Sequence, residues 1–266
     1  MAESFGTDSR STAPADGLEA AKLVAPFGLL IAAEGLVLLQ QIVAGLVLHG
    51  VVLLGLFWVI ARGDHYRVYE ALIFVPLLRL LNLGTGAIRF DPFVWLVGVY
   101  GLLLVSAVLV MREYDVGLAE LGLDIFDSRR QVGIAAAGVV LGIVLGGVQW
   151  LLELEEMPVA PTLPNVVVAA LVMGVLVGFV EELLFRGLLQ EWLADTVSEW
   201  LAVVVVSVLF GFMHSIWFAP ADVVFAFMVS LLIGSVYAVT RNFWFIWAVH
   251  SMINVMVFAV LPFVLA

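Results

Sequence analysis

Apolar residues occupy this chain in long unbroken stretches, and polar residues gather at the joints between them. The first stretch, Ala21 to Ala61, is interrupted by Lys22, Glu34, Gln40, Gln41 and His49. It is too long for one membrane crossing, so the pattern predicts two helices, about 24–41 and 44–61, turning at the glutamines. Further helices are expected at about 68–84, 93–111, 131–152, 165–192, 199–218, 222–239 and 243–264. The joints carry their own signals. Arg62–Arg67 is basic, Arg112–Arg130 is polar and amphipathic, Glu153–Pro164 is acidic with three prolines, and Pro220 ends a run. Residues 1–17 are small and polar and predict a disordered tail without the pattern of a signal peptide.

Composition names the solvent. Hydrophobic residues make up 64% of the chain and charged ones 12%, about half the charge of an ordinary soluble domain. A soluble fold of this size cannot hide that much apolar surface, so lipid must meet most of it. Backbone in lipid satisfies its hydrogen bonds internally, as helices or closed barrels. Runs of about 20 residues fit helices, whereas barrel strands alternate over about ten. The expected fold is therefore all-α: a polytopic transmembrane bundle of eight or nine spans with no β-sheet. It divides into the tail 1–17, an N-terminal bundle 18–130 and a C-terminal bundle 131–266. A stripe of Gly138, Gly142 and Gly146 at four-residue spacing predicts close helix contact.

Charge orients the bundle and removes some functions. With the N-terminus in the cytoplasm, Arg10, Lys22, Arg62, Arg67, Arg112, Arg129, Arg130 and Arg241 fall inside and only Arg89 outside. The expectation is a multi-pass cell-membrane protein with a cytoplasmic N-terminus and an outer C-terminus. A net charge of −11 argues against nucleic acid as a partner, and the apolar runs make membrane lipid one. The lysine-poor, acidic surface resembles that of salt-adapted proteins. The chain has no cysteine, which excludes disulfides and thiolate metal sites.

Ionisable groups inside spans cost about 2.5–3.5 kcal/mol each on insertion scales and persist when paired or functional. Three sets stand out: Glu181-Glu182 with Arg186, Phe210 with His214, and His250 with Asn254. Glu182 and Arg186 have the four-residue spacing of a helix ion pair, which leaves Glu181, about 100° around the helix, to face another element. Depths of about 16 Å for Glu181, 22 Å for His214 and 10 Å for His250 overlap loosely. If these groups converge, a carboxylate and an imidazole can deprotonate a water, and a second imidazole with a carboxamide can donate to an oxyanion. That would make a hydrolytic site inside the membrane, opening towards the cytoplasm. The same Glu181, His214 and His250 form an alternative zinc set, although the H-E-x-x-H motif is absent. Glu34 and Arg79, also charges inside spans, are expected to be structural, as a pair or as snorkelling helix ends. The alternative function is a proton-coupled transporter or channel using the buried carboxylates and histidines.

The order E-E-x-x-x-R, F-x-x-x-H, H-x-x-x-N on successive hydrophobic segments, over about 165–258, resembles the CAAX-protease and bacteriocin-processing family, which includes the type II CAAX prenyl endopeptidases. The resemblance implies an all-α membrane bundle and an intramembrane endopeptidase. In it Glu181 and His214 would activate water, His250 and Asn254 would stabilise the oxyanion, and Glu182 and Arg186 would support them, with Phe210 completing the second motif. The family has been described both as metal-dependent and as glutamate-type. Asparagine in place of a third strong ligand favours the reading without a cofactor, with zinc as the alternative.

Overall fold

The computed structural model describes residues 17–63, 66–84, 91–123, 129–153, 160 and 162–265. The expected tail and most of the acidic proline segment lie outside these residues, as do Arg89 and His65. The described residues form nine helices and no strand. They are α1 (Gly17–Leu38), α2 (Ile42–Ala61), α3 (Val68–Leu72 continued by Phe74–Gly84), α4 (Pro92–Glu113) and α5 (Arg129–Glu153). There follow α6 (Leu163–Ala194), α7 (Glu199–Met213, drawn out by a 3-10 turn to Trp217), α8 (Pro220–Thr240) and α9 (Phe243–Leu265). Seven of them, α2 and α4 to α9, are long and apolar enough to cross a membrane.

Local chemistry sets the joints. Gln40 takes φ of 61°, the left-handed turn between α1 and α2. Asp91 caps α4, its side chain accepting from the N–H of Phe93 at 2.9 Å, with Pro92 pre-set in the first turn. The break at Ile73 precedes Pro76, which has no N–H for the carbonyl of Leu72.

Polarity is inverted relative to a soluble protein. Large apolar side chains such as Val43, Val47, Leu54 and Trp58 on α2 and Val140, Val144 and Leu151 on α5 face outward. Glu34, Arg79, Glu182 and Arg186 are wholly buried. One core runs through the molecule, from Leu23 and Phe27 of α1 to Ile253 and Val257 of α9.

The glycine stripe of α5 lies on α9. A Cβ at Gly142 would stand 2.5 Å from the carbonyl oxygen of Val249 and 2.6 Å from Met252 Cβ, and one at Gly146 would stand 2.6 Å from Met256 Cβ. Without a hydrophobic drive between helices in lipid, such backbone approach carries the association through dispersion contact. It also fixes the helix that bears His250 and Asn254. Gly142→Ala is therefore expected to destabilise by about 1–3 kcal/mol through overpacking. Gly147→Ala, with no atom within 4 Å of the added Cβ, should be neutral or stabilising by up to about 1 kcal/mol through helix propensity. Unfolding curves of the two variants in detergent micelles check the opposite signs.

Candidate active site

The site is assembled on α6, where the regular helix gives way. A single α-helical turn, Gly178–Glu182, lies between two π-helical stretches, Ala170–Val177 and Leu183–Gln190. Hydrogen bonds to the fifth residue widen the helix and loosen its ladder, and carbonyls there take further partners. Ser251 Oγ donates to Gly174 O at 2.6 Å and Asn254 Nδ2 to Met173 O at 3.0 Å, stitching α9 to the first π stretch. Gly174 and Gly178 permit the approach: a Cβ on either would meet Val255 Cγ2 at 2.6 Å or Ser251 Oγ at 3.0 Å. The helix opposite these glycines is α9.

The adjacent glutamates part as their helical spacing predicts. Glu182 turns inward, with Oε1 3.2 Å from Arg186 Nη1 and 2.6 Å from His250 Nδ1. Arg186 donates through Nη2 to Ser230 Oγ of α8 at 2.7 Å, and its guanidinium lies 4.5 Å over the Phe210 ring. Glu181 turns the other way. Its Oε1 accepts from Tyr100 Oη of α4 at 2.5 Å, and its Oε2 lies 3.5 Å from His250 Nε2. His250 is thus suspended between two carboxylates, Nδ1 towards Glu182 and Nε2 towards Glu181.

His214 sits where α7 stops being an α-helix. Its Nδ1 is 3.1 Å from the carbonyl of Phe210. A carbonyl only accepts, so the neutral ring bonded in this way holds its hydrogen on Nδ1, and Nε2 is the acceptor. The Phe210 ring lies between the two histidines, 5.1 Å from His214 and 5.8 Å from His250 by ring centroids.

Glu181, His214, His250 and Asn254 line one cavity of about 420 Å³, with Tyr100 and Phe210. Glu182 and Arg186 stand behind its wall. The floor is Phe185 and Phe210, buried and edge to face at 5.0 Å. Beyond the floor Arg241 pairs with Glu191 and, at 3.2 Å, with Glu199. The other end is walled by Phe93 and Trp95 of α4, Trp217 after α7 and Phe258 of α9. The cavity therefore widens away from the basic joints at Arg62, Arg112 and Arg241.

Asn242 and Phe243 at the start of α9 are wholly buried, next to the exposed Arg241. The joint is drawn in by Trp244 Nε1 donating to Leu123 O at 3.1 Å and by Gly122, whose positive φ of 70° lets it lie against Arg241 backbone.

Sequence motifs did not reveal Tyr100, Ser230 or the buried Gln149–Asp222 hydrogen bond of 3.1 Å at the cavity's wide end. A polar aromatic in an apolar span was the one available signal for Tyr100. As for the zinc set, Glu181, His214 and His250 share the cavity, but no three His, Asp or Glu side chains among the described residues draw together as a metal ion needs.

Residues 163–256 match the family model described as type II CAAX prenyl endopeptidase Rce1-like. The matched family is one of CAAX-type endopeptidases, as the three motifs imply, and all three fall inside the Rce1-like segment. That segment runs from the start of α6 into α9, while α1 to α5 lie outside it. No curated protein and no solved structure matches the chain.

The pairing behind the cavity wall makes a stability prediction. Arg186→Met leaves Glu182 buried without its counter-charge and should cost about 3–5 kcal/mol. Ser230→Ala removes one hydrogen bond to a charged group and should cost about 1.5–3 kcal/mol. Denaturant titration of both variants checks the order, and equal costs would contradict the pairing.

Proposed function

We propose that this chain is an intramembrane endopeptidase that hydrolyses a peptide bond of a membrane-associated protein or peptide, CAAX-type substrates included. The observation that supports it is the sorting of polar groups: Glu181, His214, His250 and Asn254 line the cavity, and the structural pair Glu182–Arg186 is kept behind it.

In this reading Glu181 and His214 Nε2 hold a water and take its proton as its oxygen attacks the scissile carbonyl. The tetrahedral oxyanion is met by hydrogens from His250 Nε2 and Asn254 Nδ2. His250 then carries hydrogens on both ring nitrogens, with the Glu182 carboxylate facing Nδ1. As the C–N bond breaks, the proton taken from water passes to the leaving amine. Tyr100 orients Glu181 by donating to Oε1, so that Oε2 faces the reaction. These steps run on side chains alone; Glu181, His214 and His250 do not draw together as a zinc ion needs.

The wide end is aromatic, through Trp95, Trp217 and Phe258, and suits apolar side chains next to the scissile bond. With the basic joints in the cytoplasm and the N-terminus with them, that end faces the outer leaflet. A scissile segment reached within the bilayer then fits better than a freely soluble cytoplasmic tail. The filled floor at Phe185 and Phe210 favours a hydrolase over a channel, which needs a path to both faces.

Reconstituted protein incubated with a pool of lipid-anchored and membrane-spanning reporter peptides should release fragments detectable by mass spectrometry. Glu181→Gln, which keeps shape and removes the base, should lower the rate about 10²–10⁴-fold. Cleavage by Glu181→Gln at the wild-type rate would remove Glu181 from the mechanism.

A further inference from the structure

The N-terminal helices outside the Rce1-like segment carry a second buried charge cluster. Arg79 of α3 forks onto Glu34 of α1, with Nε to Oε1 at 2.8 Å and Nη2 to Oε2 at 2.7 Å. His49 Nε2 of α2 stands 3.0 Å from Glu34 Oε1, at the distance of an ion pair but out of line for a hydrogen bond. Glu34, His49 and Arg79 are all at most 1% exposed. A bundle of three helices needs no such cluster for itself, since the groups are costly to insert and gain stability only when fully paired.

The cluster does not end on those helices. Arg79 Nη2 also donates to the carbonyl of Met213, the last α-helical residue of α7. Ser215 Oγ donates to Glu34 Oε2 at 2.5 Å. The two contacts fall on the residues immediately before and after His214. At that point the backbone leaves the α-helix for a 3-10 turn and reaches the left-handed region at Phe218, φ 55°. Helix ends lack partners for their last carbonyls, and a cation there is favourable. The regular hydrogen-bond ladder thus gives little hold on His214, and the Glu34–Arg79 clamp supplies it from another part of the chain.

We infer that Glu34 and Arg79, with Ser215, are positioning residues for His214: by holding the Met213 carbonyl on one side and the Ser215 hydroxyl on the other they keep the imidazole with Nδ1 on Phe210 O and Nε2 at the cavity. This rests on the hydrolytic role proposed for His214. It also gives α1 and α3 a part in catalysis, so that the segment 163–256 is not a self-sufficient site.

The test uses the full chain with Ser215→Ala and Arg79→Lys. Ser215→Ala leaves the Glu34–Arg79 pair intact, so it should fold as the wild type does even if Arg79→Lys does not. Its kcat on the reporter peptide should fall about tenfold or more with KM within about twofold, the pattern of a misplaced catalytic group. A second readout needs no turnover. The chain has four histidines, and ¹⁵N imidazole spectra, with the His214 signal identified by its loss in His214→Gln, report its tautomer. The wild type should show His214 with hydrogen on Nδ1, and Ser215→Ala should show a mixture of tautomers. Wild-type kcat together with an unchanged His214 spectrum in folded Ser215→Ala would overturn the inference. A wild type that cleaves nothing overturns the protease reading instead, and the spectra still decide the positioning claim.

Discussion

Charge in a low-dielectric interior must be met by opposite charge or by water, and this constraint organises the molecule. Two guanidinium–carboxylate pairs, Glu34–Arg79 and Glu182–Arg186, lie fully buried among apolar helices. Each pair borders one histidine of the site: Glu182 holds the ring of His250, and Arg79 and Glu34 hold the Met213 carbonyl and the Ser215 hydroxyl on either side of His214. Glu181 has no guanidinium partner in either pair. It meets Tyr100 and His250 at the wall of a cavity, which is where a carboxylate has room to work on a substrate.

The same helices carry stability and geometry through close approach. α9 lies against the glycine stripe of α5 on one side and against Gly174 and Gly178 of α6 on the other. Such contact leaves the α9 backbone little freedom, so His250 and Asn254 are placed by packing before any polar contact is made. The π stretches around Gly178–Glu182 are the complement of that rigidity. The loosened ladder of the first gives carbonyls to Ser251 and Asn254, and the α-helical turn between the two parts the glutamates into a wall residue and a buried one.

Much of this was legible along the chain. All nine helices were found, eight of them within about two residues of their ends and the first starting seven residues earlier than expected, because lipid demands unbroken apolar runs and the joints are marked by charge or proline. The Glu182–Arg186 pair followed from four-residue spacing, and the order of the three motifs named the cavity residues. What escaped has physical causes. A π-helix in a uniformly apolar run has no compositional mark, so α6 was read as regular. The buried start of α9 is a tertiary effect of Leu123 and Gly122, which no count of residues from a loop can register. Tyr100 and Ser215 belong to no spacing pattern, and Glu34 and Arg79 were recognised as a pair but not as a clamp on another helix.

The central claim is that Glu181 and His214, on different helices, act on one water as a single unit. A double-mutant cycle on the hydrolysis rate with Glu181→Gln, His214→Gln and the double variant tests it. If the claim holds, each single substitution lowers kcat by nearly as much as the pair. Independent losses that multiply in the double variant would mean that the two groups serve separate roles, and the shared-water site would have to be abandoned.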